Sequence, residues 1–313
     1  MINMKILIGS CGGLVGSYLT RQLKKMGNTI FGCDTSFPNA TSIFLDKEIT
    51  IAKASDPNFV ELLLEILIEN DIDCYIPTNS KEIIEVAKNE KKIRESWKGF
   101  FIVSPYETYY LLNDKEKANN SLNSIGIPVP RLIENVLLEE EYPIFMKPKN
   151  GSGSKNSHLI YNSSIHKIEK NNSDNCFFEY ITGKEYTVDC FYDDKGHLVS
   201  FNQRIRIKEM GGAVIITKND YSFDIFPYLE KMSSHFVFKG CVNFQYILKD
   251  NIPYFIDVNL RYASGGLPLS VKSGLDVPRF LMDLAKGKKI KQFMPSQNND
   301  GLTMFRYFEE WYR

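Results

Sequence analysis

Two strand-like segments near the end of the sequence, 241–248 and 253–261, each place two oxygen-bearing side chains two residues apart. Side chains at positions i and i+2 of a strand point to the same face of a sheet. Carboxylate and amide oxygens are ligands that Mg²⁺ takes, usually with substrate phosphates completing its shell. The alternative is the polar outer face of an amphipathic hairpin, where Lys, Glu and Thr would be more usual. The pattern predicts a magnesium site formed by Asn243, Gln245, Asp257 and Asn259.

The connection between these segments is short enough for a β-hairpin, and a shared polar face constrains its register. The residue numbers of two facing residues must then add up to an even number, as when Asn243 faces Asp257. This requirement centres the turn on Asp250 and predicts a loop of odd length, 249–251. A two-residue loop, Asp250-Asn251, would turn one polar set to the other face unless a β-bulge intervened.

Strand-like and helical segments alternate over the first part of the chain, with short apolar runs such as 4–9 and 72–76. This alternation predicts a doubly wound parallel sheet, with a ligand crevice at the strand ends near Gly9–Gly13, Asp34 and Thr78-Asn79. The glycine segment fits GxGxxG only loosely, so a tight turn is favoured over a dinucleotide site. A role for the crevice in contacting substrate stays open.

The character of the sequence changes after Leu112. A further strand is predicted at 100–104, whereas a polar helix at 114–124 is followed by mixed strands and helices of α+β type. The sequence therefore predicts two domains, 1–112 and 113–313.

A lysine and a glycine-serine loop indicate phosphate binding in the second domain. Lys147 ends a predicted strand, and Gly151 and Gly153 follow in the loop 151–155. Glycines let the backbone approach a ligand closely, so successive N–H groups can surround phosphate oxygens, and Lys147 and Lys155 add positive charge. The Walker A pattern is absent. The alternative is a mobile surface loop.

The next segment, 179–189, has features of a nucleoside site. Glu179-Tyr180-Ile181 can end a strand and offer backbone hydrogen bonds and a carboxylate to an adenine edge. Glu185 begins another strand and is placed to accept hydrogen bonds from ribose hydroxyls. A plain strand–turn–strand is the alternative.

Composition excludes several classes of protein. The chain has 38 Lys and Arg against 38 Asp and Glu, so no basic surplus favours nucleic acid. The six cysteines show no CxxC or Cys/His spacing and indicate buried thiols in a reducing compartment. The start of the chain lacks a signal-peptide pattern, and no apolar run is long enough for a bilayer. A cytoplasmic protein with no membrane partner is expected.

Together these motifs resemble the ATP-grasp superfamily, most closely its carbamoyl-phosphate-synthase-like and amide-forming carboxylate–amine ligase members. They occur in the family's order: the helix start Asn113-Asp114-Lys115, GIPVP, the PxxxKP strand from Pro143, the glycine-serine loop, EYxxGxEYTVD, and NxQ before DxNxR. The resemblance spans nearly the whole chain. It implies an α/β pre-ATP-grasp domain and a two-lobed ATP-grasp domain, with a lid lobe at about 113–181 and a catalytic lobe at about 182–313.

The resemblance also implies a role for each matching position. Lys115 and Lys147 would contact the phosphates of ATP, Glu179, Tyr180 and Ile181 would meet adenine, and Glu185 would meet ribose. The loop residues that would close over the phosphates are Gly151, Ser152, Gly153, Ser154 and Lys155.

At the reacting end, the resemblance implies that Asp257 and Asn259 hold Mg²⁺, with Gln245 and Asn243 beside them. Arg261, on the same strand face, would touch the transferring phosphoryl group. Arg206 is a further candidate to hold a substrate carboxylate, with an exposed strand arginine as its alternative. The sequence departs from the family at Asp257, where Glu is usual.

The implied activity joins a small-molecule carboxylate to an amine through an acyl phosphate, with ATP, Mg²⁺ or Mn²⁺, and ADP as product. A homodimer is left open. Three alternatives remain: a carbamoyl-phosphate-synthase-like or carboxylase reaction with bicarbonate, a nucleotide-binding module without catalysis, and an NAD-dependent enzyme.

Overall fold

The computed structural model describes residues 3–151, 156–210, 213–307 and 309–312, and within these the strands form three sheets of four, six and three strands. No helix in these ranges is long and apolar enough to cross a membrane. All six cysteines are free, and Cys241 is the one that is not fully buried.

The first sheet is parallel and has the strand order β3-β2-β1-β4. Ile6 and Ile8 pack in the apolar cluster that includes the first helix, whereas Leu7 packs in the cluster that includes the second. The predicted parallel sheet is confirmed, and its doubly wound layout stays a prediction. The elements are β1 (Lys5–Gly9), α1 (Leu14–Lys25), β2 (Thr29–Asp34), β3 (Lys47–Thr50), α2 (Phe59–Glu69), β4 (Cys74–Ile76), α3 (Ser80–Lys88), α4 (Glu90–Ser96) and α5 (Tyr106–Leu112).

The strand predicted at 100–104 is wrong. Phe100 forms one parallel bridge with Cys74, and the residues after it are not in a strand. Phe101 and Val103 are nevertheless buried in the core, so the apolar pattern reflects packing and not strand pairing.

The glycine turn after β1 is filled by a buried carboxylate. Glu82 is 3% exposed and accepts hydrogen bonds from Tyr75 Oη at 2.6 Å and Ser10 Oγ at 3.0 Å. Burial raises the pKa of Glu82, and these hydrogen bonds oppose the shift. A Cβ atom on Gly9 would lie 1.8 Å from a Glu82 carboxylate oxygen. The turn therefore needs glycine for internal packing, in agreement with the preference for a tight turn over a dinucleotide site.

Gly9→Ala is expected to lower the free energy of unfolding by about 1–3 kcal/mol, because the buried Glu82 carboxylate must move. Gly13→Ala in the same turn is the matched control, since its nearest contact would be Ser10 O at an ordinary 3.5 Å. Urea unfolding of both variants checks the prediction. Equal stability of the two proteins would contradict it.

The second part of the chain contains a six-stranded sheet, β12-β11-β8-β9-β10-β13, and a three-stranded sheet, β6-β5-β7. One apolar cluster includes both Leu7 of the first sheet and Phe244 of the six-stranded sheet, so the two parts share a core. The elements are α6 (Lys115–Ser124), β5 (Ile144–Pro148), β6 (His158–Ile160), α7 (Ser163–Lys170), β7 (Asn175–Glu179), β8 (Lys184–Tyr192), β9 (Leu198–Met210), β10 (Ala213–Asn219), α8 (Phe226–Ser233), β11 (Gly240–Lys249), β12 (Ile252–Asn259), α9 (Leu267–Lys272), α10 (Val277–Ala285) and β13 (Thr303–Phe305).

The β11–β12 hairpin corrects the predicted register. Asp250 and Asn251 form a two-residue turn with φ of 50° and 62°, as a type I′ turn requires. Near this turn the residue numbers of facing residues add up to an odd number. A β-bulge then lies opposite the Gln245/Tyr246 step, where Ile256 has no partner. The pairing of Asn243 with Asp257 and the three-residue loop are both wrong. The extra residue of the bulge shifts the register by one, so the polar side chains of the two strands again share a face.

Candidate active site

The polar face of the six-stranded sheet brings together the side chains predicted to bind metal. Beyond the bulge, Gln245 faces Asp257 and Asn243 faces Asn259. On the other side of β11, Gln245 pairs with Thr187 and Asn243 with Asp189. The four predicted side chains therefore occupy two adjacent rows of one sheet face.

These side chains form a connected hydrogen-bond network around Asp257. Asn259 Nδ2 donates to Asp257 Oδ2 at 2.9 Å. With its amide oriented to match its neighbours, Gln245 donates to the same oxygen at 3.2 Å and accepts from Arg206. Asn243 Nδ2 instead donates to the carbonyl of Arg261 at 3.1 Å. Asp257 is thus the acceptor at the centre of the predicted metal site.

The donor set fits a magnesium ion that is shared with a nucleotide. The described residues contain no cluster of three or more His, Cys, Asp or Glu side chains able to hold a metal. One carboxylate with amide oxygens leaves a shell to be completed by other oxygens. Mg²⁺ usually binds in this way, through one or two carboxylates, waters and substrate phosphates.

Two cavities meet at Asp257, which lines both of them. The smaller cavity has a volume of about 320 Å³ and is bounded by Lys115, Lys147 and the 179–181 segment. The larger has a volume of about 700 Å³ and lies between the polar sheet face and the strand ends of the first sheet. The candidate site is therefore a junction with a different set of groups on each side.

Lys147 is fixed at this junction by the β-bulge. Its Nζ donates to the carbonyl of Ile256 at 3.1 Å, and Ile256 is the unpaired residue of the bulge. Burial lowers the pKa of the Lys147 ammonium, and the nearby carboxylate of Asp257 opposes that shift. The bulge thus both aligns the side chains predicted to bind metal and provides an acceptor for the lysine.

Six of the positions predicted to bind a nucleotide line the smaller cavity. The rings of Phe145 and Phe178 form part of its wall, with Lys147 Nζ 5.5 Å and 5.8 Å from their centroids. Lys115 Nζ donates to Gly151 O at 2.9 Å, at the start of the predicted lid. Ser152, Gly153, Ser154 and Lys155 lie outside the described residues. The residues of this cavity that match the sequence prediction are Lys115, Lys147, Glu179, Tyr180, Ile181 and Glu185.

Two carboxylates of this wall already have partners. Glu179 Oε1 accepts from the Arg131 amide at 2.7 Å, which leaves its second oxygen for a ligand. Glu185 accepts from Arg206 Nη1 at 3.2 Å, and Arg206 also pairs with Glu209 at 2.6 Å. A ribose at Glu185 would therefore compete with, or share, the Arg206 contact.

Arg261 lies beyond the end of β12, which stops at Asn259, so its placement on the strand is wrong. It still borders the larger cavity beside Asp257. Its Nη1 donates to Tyr262 O at 3.1 Å. Among the described residues, no carboxylate lies within 4.0 Å of its guanidinium nitrogens as an ion-pair partner. Burial lowers the pKa of Arg261, and Asp257 opposes the shift. A guanidinium of this kind is suited to an anionic substrate group.

Sequence reasoning missed the buried pair of Arg204 and Asp189. Arg204 Nε and Nη2 donate to the two carboxylate oxygens at 2.8 and 3.2 Å, and Ser270 Oγ donates to one of them at 2.5 Å. Arg204 also lines the larger cavity. Asp189 does end the EYTVD motif, but its partner is set by the register of β8 and β9 and not by sequence spacing.

Lys147→Met is expected to raise the dissociation constant for MgADP about 10–100-fold, through loss of a hydrogen bond from a charged group. Lys149→Met is the matched control, because Lys149 forms a surface pair with Glu116 at 2.7 Å and does not line either cavity. Isothermal titration calorimetry on both variants checks this. A loss of affinity as large in Lys149→Met would contradict a specific role for Lys147.

Comparison with known proteins finds similarity to ATP-grasp proteins. Residues 173–305 match the family described as ATP-grasp in the biosynthetic pathway with Ter operon. An uncharacterized protein of Methanocaldococcus jannaschii is 25% identical over 58% of this chain and 48% of its own length. The carbamoyl phosphate synthase large chain of Caldanaerobacter subterraneus is 24% identical over 66% of this chain and 21% of its own.

The fold comparison extends over almost the whole chain. The ADP complex of N5-carboxyaminoimidazole synthetase from Staphylococcus aureus has a TM-score of 0.70 at 16% identity, covering 92% of this chain and 79% of that one. This chain spans less than half of the length of the two curated relatives. The family match over residues 173–305 and the shared fold are in agreement with the resemblance of the sequence motifs to the ATP-grasp superfamily.

Proposed function

We propose that this protein is an ADP-forming ligase that joins a small-molecule carboxylate to an amine. The observation that carries the proposal is the position of Asp257 between two cavities, one bordered by lysines and aromatic rings and the other by arginines. A nucleotide in the smaller cavity would direct its phosphates towards this junction. An acid in the larger cavity would approach the same point from the opposite side.

The first step forms an acyl phosphate. An oxygen of the substrate carboxylate attacks the γ-phosphorus of ATP, the bond from that phosphorus to the β–γ bridging oxygen breaks, and ADP leaves. Lys115 and Lys147 would hold the phosphates, and Arg261 would offset negative charge on the transferring group. Mg²⁺, held by Asp257 and Asn259 with Gln245 beside them, would neutralise phosphate charge, and Mn²⁺ is expected to substitute for it.

The second step forms the amide. The amine attacks the acyl carbon, the carbon–oxygen bond to phosphate breaks, and the nitrogen loses a proton as phosphate leaves. Water competes with the amine for the acyl phosphate, so the site must be closed during the reaction. The loop 151–155 is proposed to provide this closure.

A second candidate function uses bicarbonate as the acid. Its support is the match to a carbamoyl phosphate synthase large chain. Against it, a cavity of about 700 Å³ is far larger than one bicarbonate requires. A non-catalytic module would not need cationic groups around both cavities.

The test measures ADP and phosphate release from Mg-ATP against a matrix of carboxylic acids and amines, bicarbonate included. Release that requires an organic acid and an amine is expected, together with its loss in Asn259→Ala. AMP and pyrophosphate as products would overturn the proposal. Release with bicarbonate alone would favour the second candidate.

A further inference from the structure

The larger cavity is bordered by charged side chains on two sides, one of which belongs to the first sheet. Its near end is the polar sheet face with Asp257 and Arg261, and its far end is the first sheet, where Asp34, Lys53 and Lys81 border it. The carboxyl ends of parallel strands in an α/β sheet are where ligands usually bind. The far end is therefore a second place at which this cavity can contact its substrate.

The acidic groups at the far end are used within the protein. Asp34 accepts hydrogen bonds from the amides of Gly12 at 2.9 Å and Thr35 at 2.7 Å. Glu82 is buried under the glycine turn and bonded to Tyr75 and Ser10. Neither carboxylate is joined in an ion pair to a lysine of this wall in the part of the chain that is described.

The lysines of this wall have no carboxylate partner among the described residues. Lys53 and Lys81 are exposed to the cavity and are in no ion pair among the described residues, whereas Lys88 on the same helix as Lys81 is 3.8 Å from Glu85. Lys81 lies in the first turn of α3, and its backbone amide donates at 2.9 Å to the side chain of the capping residue Asn79. The cationic character of the wall comes from the two ammonium groups.

The near end differs from the far end in how its cations are paired. Arg204 is paired with Asp189, and Arg206 with Glu185 and Glu209. Arg261 is the guanidinium at this end without a carboxylate partner in the described residues. One cation at the near end and two at the far end thus face the same cavity of about 700 Å³. Pockets of this size hold ligands with many more atoms than a single small anion.

We propose that the acid substrate carries a second anionic group, a carboxylate or a phosphate, which Lys53 and Lys81 bind while its reacting carboxylate lies at Arg261. The proposal rests on the proposed function, because it takes the larger cavity as the acid site. It narrows the substrate class to dianionic acids. A simple monocarboxylate would leave the two lysines without a counter-charge.

The test measures binding of three probes of similar length to the full chain saturated with MgADP: butyrate, succinate and 3-phosphonopropionate. The proteins are the wild type, the double variant Lys53→Gln/Lys81→Gln, and the control double variant Lys88→Gln/Lys91→Gln, which removes the same charge from surface lysines paired with Glu85 and Glu95. We expect at least one dianion to bind roughly tenfold more tightly than butyrate. The preference should disappear in the first variant and persist in the control.

The succinate and phosphonate results distinguish a second carboxylate from a phosphate. Equal binding of all probes, failure of every probe to bind at millimolar concentration, or a preference that survives Lys53→Gln/Lys81→Gln would overturn the inference. MgADP affinity is measured separately in each protein. Tight MgADP binding without a preference for dianions would overturn this inference alone. Failure of MgADP to bind would count against the proposed function itself.

Discussion

Replacing Asp257 with asparagine is expected to lower the rate of ATP-dependent ADP release about 10³-fold, the size of loss seen when a preorganised electrostatic group is removed from an active site. Asp257 is the carboxylate that borders both cavities, and its side chain accepts from Asn259 and Gln245. Asparagine keeps the shape but removes the negative charge that would hold a metal ion. The measurement is steady-state ADP release with the acid and amine identified by the substrate matrix.

Measuring the ADP affinity of Asp257→Asn with and without Mg²⁺ distinguishes loss of metal binding from loss of the folded structure. In the wild type, Mg²⁺ should tighten ADP binding, and in Asp257→Asn this dependence should vanish. Asp250→Asn is the matched control, because it makes the same substitution in the exposed turn of the same hairpin. An Asp257→Asn protein with wild-type turnover and wild-type dependence on Mg²⁺ would remove the structural basis of the proposed function.

The hairpin shows how far sequence reasoning reaches at this site. Alternation of polar side chains correctly predicts that Asn243, Gln245, Asp257 and Asn259 share a face. The turn and the pairing are wrong because Ile256, an apolar residue in an apolar pattern, carries no sign that it is the extra residue of a bulge. The position of a bulge depends on both strands and on the turn, so one strand's pattern does not reveal it.

The residues around the smaller cavity were easier to predict than those around the larger one. Lys147, Glu179 and Glu185 lie in compact motifs, and the structure gathers them around one cavity. Lys53 lies in the loop after β3 and Lys81 in the first turn of α3, and only the tertiary fold brings both to the cavity. Neither has a local pattern that distinguishes it from an ordinary surface lysine.

The strand predicted at 100–104 failed for a different physical reason. An apolar run indicates burial, and Phe101 and Val103 are indeed 1% and 3% exposed. Burial can be achieved by an irregular segment packed beside a sheet, and here one bridge at Phe100 is all the pairing that forms. The short strand β3, with three of its four residues exposed, contains a single apolar residue, Ile49.

The second large effect is expected in the free energy of unfolding when the charge of Asp189 is removed. Asp189 and Arg204 are each 3% exposed, and the guanidinium donates to both carboxylate oxygens. Asp189→Asn leaves the Arg204 charge buried without its counter-charge. The expected loss is about 3–5 kcal/mol, the usual cost of removing one partner of a buried ion pair. Urea unfolding monitored by circular dichroism measures it.

A surface pair provides the comparison, and a double variant isolates the cause. Glu61→Gln removes the partner of Lys92 at an exposed site and should leave stability nearly unchanged. If the loss in Asp189→Asn comes from the stranded charge, Arg204→Met added to it should recover a substantial part, because both charges are then gone. No recovery would mean that the carboxylate acts mainly through Ser270. Since Arg204 also borders the larger cavity, recovered stability without recovered turnover would further show that its guanidinium serves the reaction as well as the fold.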